Sequence, residues 1–437
     1  MQIERKAPVI EALFFGFSMA ALTAVVLANV IRVRVSPDAA VFVRTVFFTG
    51  SWFAAIVWAI LAKRHAVLAW LGTLAGCAVA IAICEFFAGG VSGSSLVHLF
   101  GAGGAGVGIA LLIQRLLDGR SALWTAGCAA LFGAGAAVWL ALEPEHELWK
   151  LLPNNWEISK NLDYRWGIRM GQERARFLFD TPMEAGVVQW LLGALCLAIA
   201  MTRKAGRLTR GLLGALALLL FASVALTYSR AGLVLGAMSI GLGVLTSVRN
   251  RKATILACVS AGVLFCIAAL AVNRIVGDKS PGVKNVASIF DPTEEANRIR
   301  LDQFREFGRD LAETPWHGKG ASSFVTFDDA PRMPEHESAP VGLFISFGIG
   351  GAALSLAFAL QVHRHRKRFS ESLADQDLTK ESAFTRFVMI SVLPFAVYSF
   401  VAPVLSGIMF AMICFTTMGL LAVWEAPLTV VRANRRS

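Results

Sequence analysis

Arg230 stands in Leu226-Thr227-Tyr228-Ser229-Arg230-Ala231-Gly232-Leu233, a short turn between two apolar runs. A guanidinium keeps its proton at neutral pH and holds phosphate oxygens through two parallel N–H bonds. Fixed on a short turn at a membrane surface, it would face an anion; the plainer alternative is an arginine that snorkels to the headgroups. Arg298 and Arg300 lie in a polar stretch further on. They serve either an anion or a solvated helix face with ion pairs such as Glu294 to Arg298. Arg165, Arg169, Arg174 and Arg176 place four more bases within about a dozen residues.

His336 follows in Pro334-Glu335-His336-Glu337-Ser338, just before an apolar run resumes. Imidazole titrates near pH 6.5, which suits a general base that activates a hydroxyl. Glu335 and Glu337 would orient it, raise it or act as the base themselves. The alternatives are a loop histidine without a chemical task and, as a weaker rival, His317 in Pro315-Trp316-His317-Gly318-Lys319-Gly320. The sequence has no serine nucleophile elbow, no HExxH helix and no Asp-rich metal cluster. The expected chemistry is therefore metal-independent and needs no cofactor.

These groups must be positioned by a membrane bundle. Of the 437 residues, 56% are hydrophobic and 16% charged, with a mean hydropathy of +0.61. A soluble domain carries about 25% charged residues. Apolar runs long enough to span about 30 Å of hydrocarbon recur along the chain, and lipid forces such runs into helices. The pattern predicts twelve helices, at about 9–31, 41–62, 66–88, 96–116, 122–142, 183–201, 211–228, 231–248, 253–272, 339–361, 386–402 and 404–424. Pro394 and Pro403 are expected to kink or break the last two. The first apolar run is too long for a signal peptide and lacks a clear cleavage site.

The net charge of +11 does not imply nucleic acid. Its bases cluster in alternate connectors: Lys63-Arg64, Arg203-Lys204, Arg251-Lys252, Arg366-Lys367-Arg368 and the tail at Arg435-Arg436. This is the positive-inside pattern, and it puts both termini in the cytoplasm. Two outer segments remain, Glu143 to Pro182 and Asn273 to Ala339. Both are too long to be turns, so function is expected there. They carry six basic and seven acidic residues, and nine and twelve, so specific arginines rather than a general positive field must act. The second segment contains its own amphipathic helix, begun by Asp291-Pro292-Thr293-Glu294 and stopped by Pro315. The glycine run from Gly101 to Gly106 lies in an apolar stretch and reads as close helix packing.

Three segments together carry a resemblance. The first is Thr227-Tyr228-Ser229-Arg230-Ala231-Gly232. The second runs from Arg300 through Leu301 and Phe304 to Pro315-Trp316-His317-Gly318-Lys319-Gly320 and Phe324. The third is His336 followed by Phe347-Gly348-Ile349-Gly350-Gly351. In this order they resemble the O-antigen ligase and polymerase superfamily of bacterial envelope enzymes. That family has a threonine-x-serine-arginine-glycine turn, an arginine and aromatic helix before proline-x-x-glycine-x-glycine, and a histidine loop. Arg174-Ala175-Arg176-Phe177 to Thr181-Pro182 is more loosely similar to an arginine-bearing stretch before the preceding helix. Two departures stand out: Glu337 replaces the family's asparagine-like residue, and the histidine-to-glycine distance is one residue longer.

The resemblance implies an all-α polytopic protein of the bacterial inner membrane, with about twelve transmembrane helices and two large periplasmic loops, the second partly helical. Residues 1–142 would hold helices 1–5, 143–182 the first loop, 183–272 helices 6–9, 273–339 the large loop, and 340–437 helices 10–12 with a cytoplasmic tail. The implied activity moves a glycan from an undecaprenyl-pyrophosphate donor to lipid A-core at the periplasmic face. Arg230 and Arg300 would bind the pyrophosphate, and His336 would activate the acceptor. Arg174, Arg176, Arg298 and Glu337 would complete the substrate site. A polymerase using the same donor is the near alternative. A secondary transporter or lipid-linked sugar flippase is the alternative of another class. Transporters usually show repeated halves and midplane charges; here the halves differ, and the obvious acid within an apolar run is Glu85.

Overall fold

The computed structural model describes residues 2–27, 31, 35–89, 93–118, 121–146, 168–169, 172–173, 182–202, 206–227, 229–247, 298, 301–302, 305, 308–309, 312–320, 338–374, 382–399 and 408–424. The helix expected at about 253–272 lies outside them. Eleven helices occupy the other expected positions. They are α1 (Gln2–Val26), α2 (Pro37–Leu61), α3 (His65–Phe87), α4 (Gly93–Asp118), α5 (Ala122–His146), α6 (Pro182–Ala200), α7 (Arg207–Ser223), α8 (Arg230–Ser247), α9 (Ala339–Ala374), α10 (Ala383–Ser399) and α11 (Ile408–Trp424). Seven are long and apolar enough to cross a membrane, namely α1 to α6 and α9, and shorter apolar stretches accompany them in α8, α10 and α11. Large apolar side chains such as Phe42, Phe53, Trp124, Leu131 and Leu208 point outward, as lipid-facing helices require. By helix length and hydropathy this is a multi-pass membrane protein.

The chain divides into two compact units, one of residues 1–116, 307–367 and 395–437 and the other of residues 117–306 and 368–394. In the first, α1 packs along α2, α2 turns back into α3, and α11 lies against α1 and α3. The start of α2 follows simple rules. Ser36 caps it by accepting a 3.0 Å bond from the Ala39 N–H, Pro37 opens it, and Asp38 meets the positive end of its dipole. At the far end of α2 the chain reverses through Lys63, whose φ is +52°.

There a polar clamp ties three helices. Glu11 takes bonds of 2.9 and 3.2 Å from Arg115 Nε and Nη2, and a 3.3 Å bond from Trp58 Nε1. Burial pulls the Arg64 guanidinium below its ordinary value; repulsion from Arg115 adds to this and Glu11 opposes it. The glycine run packs α4 closely, as expected. A Cβ on Gly104 would meet the Trp52 backbone at 2.9 Å, and one on Gly106 the Phe415 backbone at 2.7 Å.

In the second unit α6 is central, with α5, α7 and α8 packed on it. Two of its polar side chains donate hydrogen bonds inside the apolar layer. Gln189 Nε2 donates to the Gly133 carbonyl at 3.0 Å. Trp190 Nε1 donates to Ser239 Oγ at 2.8 Å, and Ser239 donates onward to the Ile390 carbonyl at 2.7 Å.

Four details differ from the sequence reading. The segment expected to be a plain loop contains two short antiparallel strands, β1 (Ile168–Arg169) and β2 (Gln172–Glu173). α7 ends at Ser223 and passes into a 3-10 turn, Val224–Thr227. α9 runs to Ala374 and is broken at Gly348. Pro394 does not end α10, which continues five residues beyond it to Ser399; Pro403 lies outside the described residues.

Replacing Gly106 with valine should overpack the contact with α11 and cost about 1–3 kcal/mol, seen as a lower melting temperature in detergent. The same change at Gly127, which has nothing within 4 Å of a new Cβ, should leave melting unchanged.

Candidate functional site

Among the described residues, the motif segments hold two places that depart from ordinary helix geometry. The first is the turn before Arg230. Thr227 Oγ1 donates to the Val224 carbonyl at 2.8 Å and accepts from the Ser229 N–H at 3.3 Å. Ser229 Oγ then caps α8 by accepting from the Gly232 N–H at 3.3 Å. Both side chains are buried, and Arg230 becomes the first residue of α8. Small neighbours make the turn possible. A Cβ on Gly186 would meet Thr227 Oγ1 at 3.0 Å, and one on Gly232 would meet Val224 at 2.6 Å. The threonine and serine thus build the turn that carries the arginine. A cation at a helix N-terminus opposes the helix dipole, so helix stability does not account for Arg230.

The second place is the break in α9. Gly348 has φ +52° and ψ −133° inside a span otherwise helical from Ala339 to Ala374. In an unbroken helix the Ile349 N–H would bond to the Ile345 carbonyl. Here Pro315–Gly320 lies as a strap across the break and supplies the partners instead. Ile349 N–H donates to the Trp316 carbonyl at 2.9 Å, while the Ile345 and Ser346 carbonyls accept from the Lys319 and Gly320 N–H groups at 2.8 and 2.9 Å. The strap is closed on itself by a 2.8 Å bond from Gly318 N–H to the Pro315 carbonyl.

Glycines are required on both sides of this contact. Gly318 and Gly320 have φ of +78° and +94°. A Cβ on Gly318 would collide with the Ser346 carbonyl, and one on Gly348 with the Trp316 carbonyl. Trp316 packs on Phe87 at the end of α3, with ring centroids 5.0 Å apart, and on the edge of His317 at 5.4 Å. The Ser338 carbonyl starts α9 by accepting from Gly342 N–H at 2.8 Å. This corner and the Glu11 clamp sit at opposite ends of α3, about 30 Å apart by helix rise.

The proposed site residues fare differently. The backbone of Arg230 is placed at the head of α8. Arg298 is helical and exposed. Its neighbours form surface ion pairs, Asp302 with Arg305 at 3.3 Å and Arg309 with Glu313 at 3.9 Å, as a solvated helix face would. Arg300, His336, Glu337, Arg174 and Arg176 lie outside the described residues. Among the described residues no group of three or more His, Cys, Asp or Glu is arranged to hold a metal ion.

Sequence reasoning missed Glu85 as a member of the strap corner. Its Oε1 is 3.9 Å from the Cβ position of Gly320. A buried acid at a helix end was the available signal. The fold defines a multi-pass membrane protein with a strapped, broken span. The chain matches no protein-family model and no curated protein.

Gly348→Ala should cost about 1–3 kcal/mol in backbone strain alone and release the strap. Limited proteolysis between Pro315 and Gly320 checks this: the variant should be cut much faster than the wild type.

Proposed function

We propose that the protein is a glycosyltransferase of the O-antigen ligase type, moving a glycan from undecaprenyl pyrophosphate to lipid A-core at the periplasmic face of a bacterial inner membrane. The observation that carries this reading is the bonding of Pro315–Gly320 into the break at Gly348. Two of the three segments that resemble the ligase and polymerase superfamily are thereby one structural unit. The first segment supports it in its own way, since Thr227 and Ser229 hold the backbone of Arg230 at a helix head. Counted with α7, the three shorter apolar helices and the run at 253–272, the seven spans come to twelve, with both termini cytoplasmic.

In this reading the acceptor hydroxyl attacks the anomeric carbon as its proton passes to His336 or to Glu337 beside it. The carbon–oxygen bond to the pyrophosphate breaks, and the electron pair leaves with undecaprenyl pyrophosphate. Arg230 and Arg300, assisted by Arg174, Arg176 or Arg298, stabilise the charge that develops on the leaving group in place of a metal ion. A single displacement of this kind inverts the anomeric centre.

The test is transfer in proteoliposomes with undecaprenyl-pyrophosphate-linked glycan, lipid A-core and a chelator. Glycan on lipid A-core is the expected product. Lengthening of the glycan on its own carrier would identify a polymerase, and no product from folded protein would refute the reading. Arg230→Ala should lower the rate about 100-fold or more, the scale for removing one preorganised charge donor, with unchanged membrane insertion. Full activity in that variant would contradict the role given to Arg230.

A further inference from the structure

The strap carries two side chains that the transfer reading leaves unused, Trp316 and His317. His317 Nδ1 lies 2.8 Å from the Gly318 carbonyl oxygen. A carbonyl oxygen has no proton to give, so Nδ1 is the donor. In the neutral ring that leaves Nε2 with a lone pair and makes it an acceptor. Among the described residues nothing donates to Nε2, and the atom is not buried.

Both rings are held in place. The Trp316 carbonyl and the Lys319 N–H, on either side of His317, bond to the Ile349 N–H and the Ile345 carbonyl of the broken helix. The His317 ring meets the Trp316 ring edge-on, with centroids 5.4 Å apart and planes at 82°. Trp316 leans in turn on Phe87, 5.0 Å away, and still leaves 49% of its surface exposed. A lone pair and an open aromatic ring are thus set side by side on tied backbone, as a preorganised binding site requires.

The lone pair selects the ligand. Phosphodiester and carboxylate oxygens carry no proton at neutral pH, so they do not suit an acceptor nitrogen, whereas a hydroxyl does. The negative face of an indole takes C–H groups. A sugar ring presents both, with hydroxyls at its rim and C–H groups across its face. A tryptophan at the end of a span can instead anchor in lipid headgroups, but headgroup phosphate and ester oxygens offer no proton to Nε2.

We propose that Trp316 and His317 form a sugar subsite of the transfer site, with His317 Nε2 accepting from a sugar hydroxyl and Trp316 packing against the ring. This rests on the transfer reading above, and proton transfer stays with His336 or Glu337. The sugar belongs either to lipid A-core or to the donor glycan.

Two variants divide the functions of the imidazole. The amide of His317→Asn falls near the Nδ1 position, keeping a donor for the Gly318 carbonyl and leaving the Nε2 position empty. The amide of His317→Gln reaches the Nε2 position and keeps an acceptor there. In the proteoliposome assay H317N should raise one KM about 3- to 10-fold, the scale of one hydrogen bond. Its kcat and melting temperature should stay near those of the wild type, as loss of uniform binding requires. H317Q should bring that KM back, and Trp316→Leu should raise the same one. A rise for lipid A-core assigns the subsite to the acceptor, and a rise for the lipid-linked glycan assigns it to the donor. Unchanged KM values in H317N, or a rise that H317Q does not reverse, would overturn the subsite and leave the transfer reading intact. Unchanged KM values in W316L, with a lower melting temperature in phosphatidylglycerol vesicles, would mark a membrane anchor and overturn it as well. Should H317N fail to fold, the KM values of W316L decide. No transfer by the wild type refutes the transfer reading, and this inference with it.

Discussion

Hydrocarbon offers no partner to a peptide group, so a helix that breaks inside a membrane span must find its lost hydrogen bonds elsewhere. The exchange at Gly348 meets that constraint. Ile349 N–H and the Ile345 carbonyl, partners in a regular helix, both bond to the strap. Most features of the corner follow from this. The strap must run close against the helix backbone, which is why Gly318 and Gly348 have no room for a Cβ. Its register is fixed at Trp316, Lys319 and Gly320, so the outer chain departs from a defined point. A broken helix tied in this way places irregular backbone where a regular span would leave no free peptide groups, which is how membrane proteins commonly build binding sites.

Charge placement follows the helix dipole at some helix ends and opposes it at others. At the start of α2, Ser36, Pro37 and Asp38 all agree with the helix dipole and its unsatisfied N–H groups. At the Glu11 clamp, one carboxylate answers Arg115 and Trp58 with bonds of ordinary length. Arg230 and Glu85 do the reverse. One puts a cation at a helix N-terminus and the other an anion near a C-terminus, each unfavourable by about 0.3–1 kcal/mol where exposed.

The spans were legible because length and hydropathy alone decide them. The runs at 41–62, 66–88 and 122–142 correspond to α2, α3 and α5. The glycine run's role in packing could also be read, since small residues in an apolar stretch have few other uses. The break at Gly348 could not be. A glycine in Phe347-Gly348-Ile349-Gly350-Gly351 reads equally as close packing, and its positive φ depends on a strap whose sequence lies about thirty residues away. Pro394 was expected to kink or break its helix, and α10 runs on past it to Ser399, as a membrane helix does when neighbours satisfy the freed groups. Of the site, the turn at Arg230 was legible as a short connector between two apolar runs, and the pairing of strap with break was not.

Hydrogen exchange of the amides of Lys319, Gly320 and Ile349 tests this account most directly, since these three N–H groups make the bonds between strap and broken helix. The account predicts exchange as slow as in the middle of α3. Exchange at the rate of an exposed loop would contradict it, and would leave the Pro315–Gly320 segment without a part in building the site.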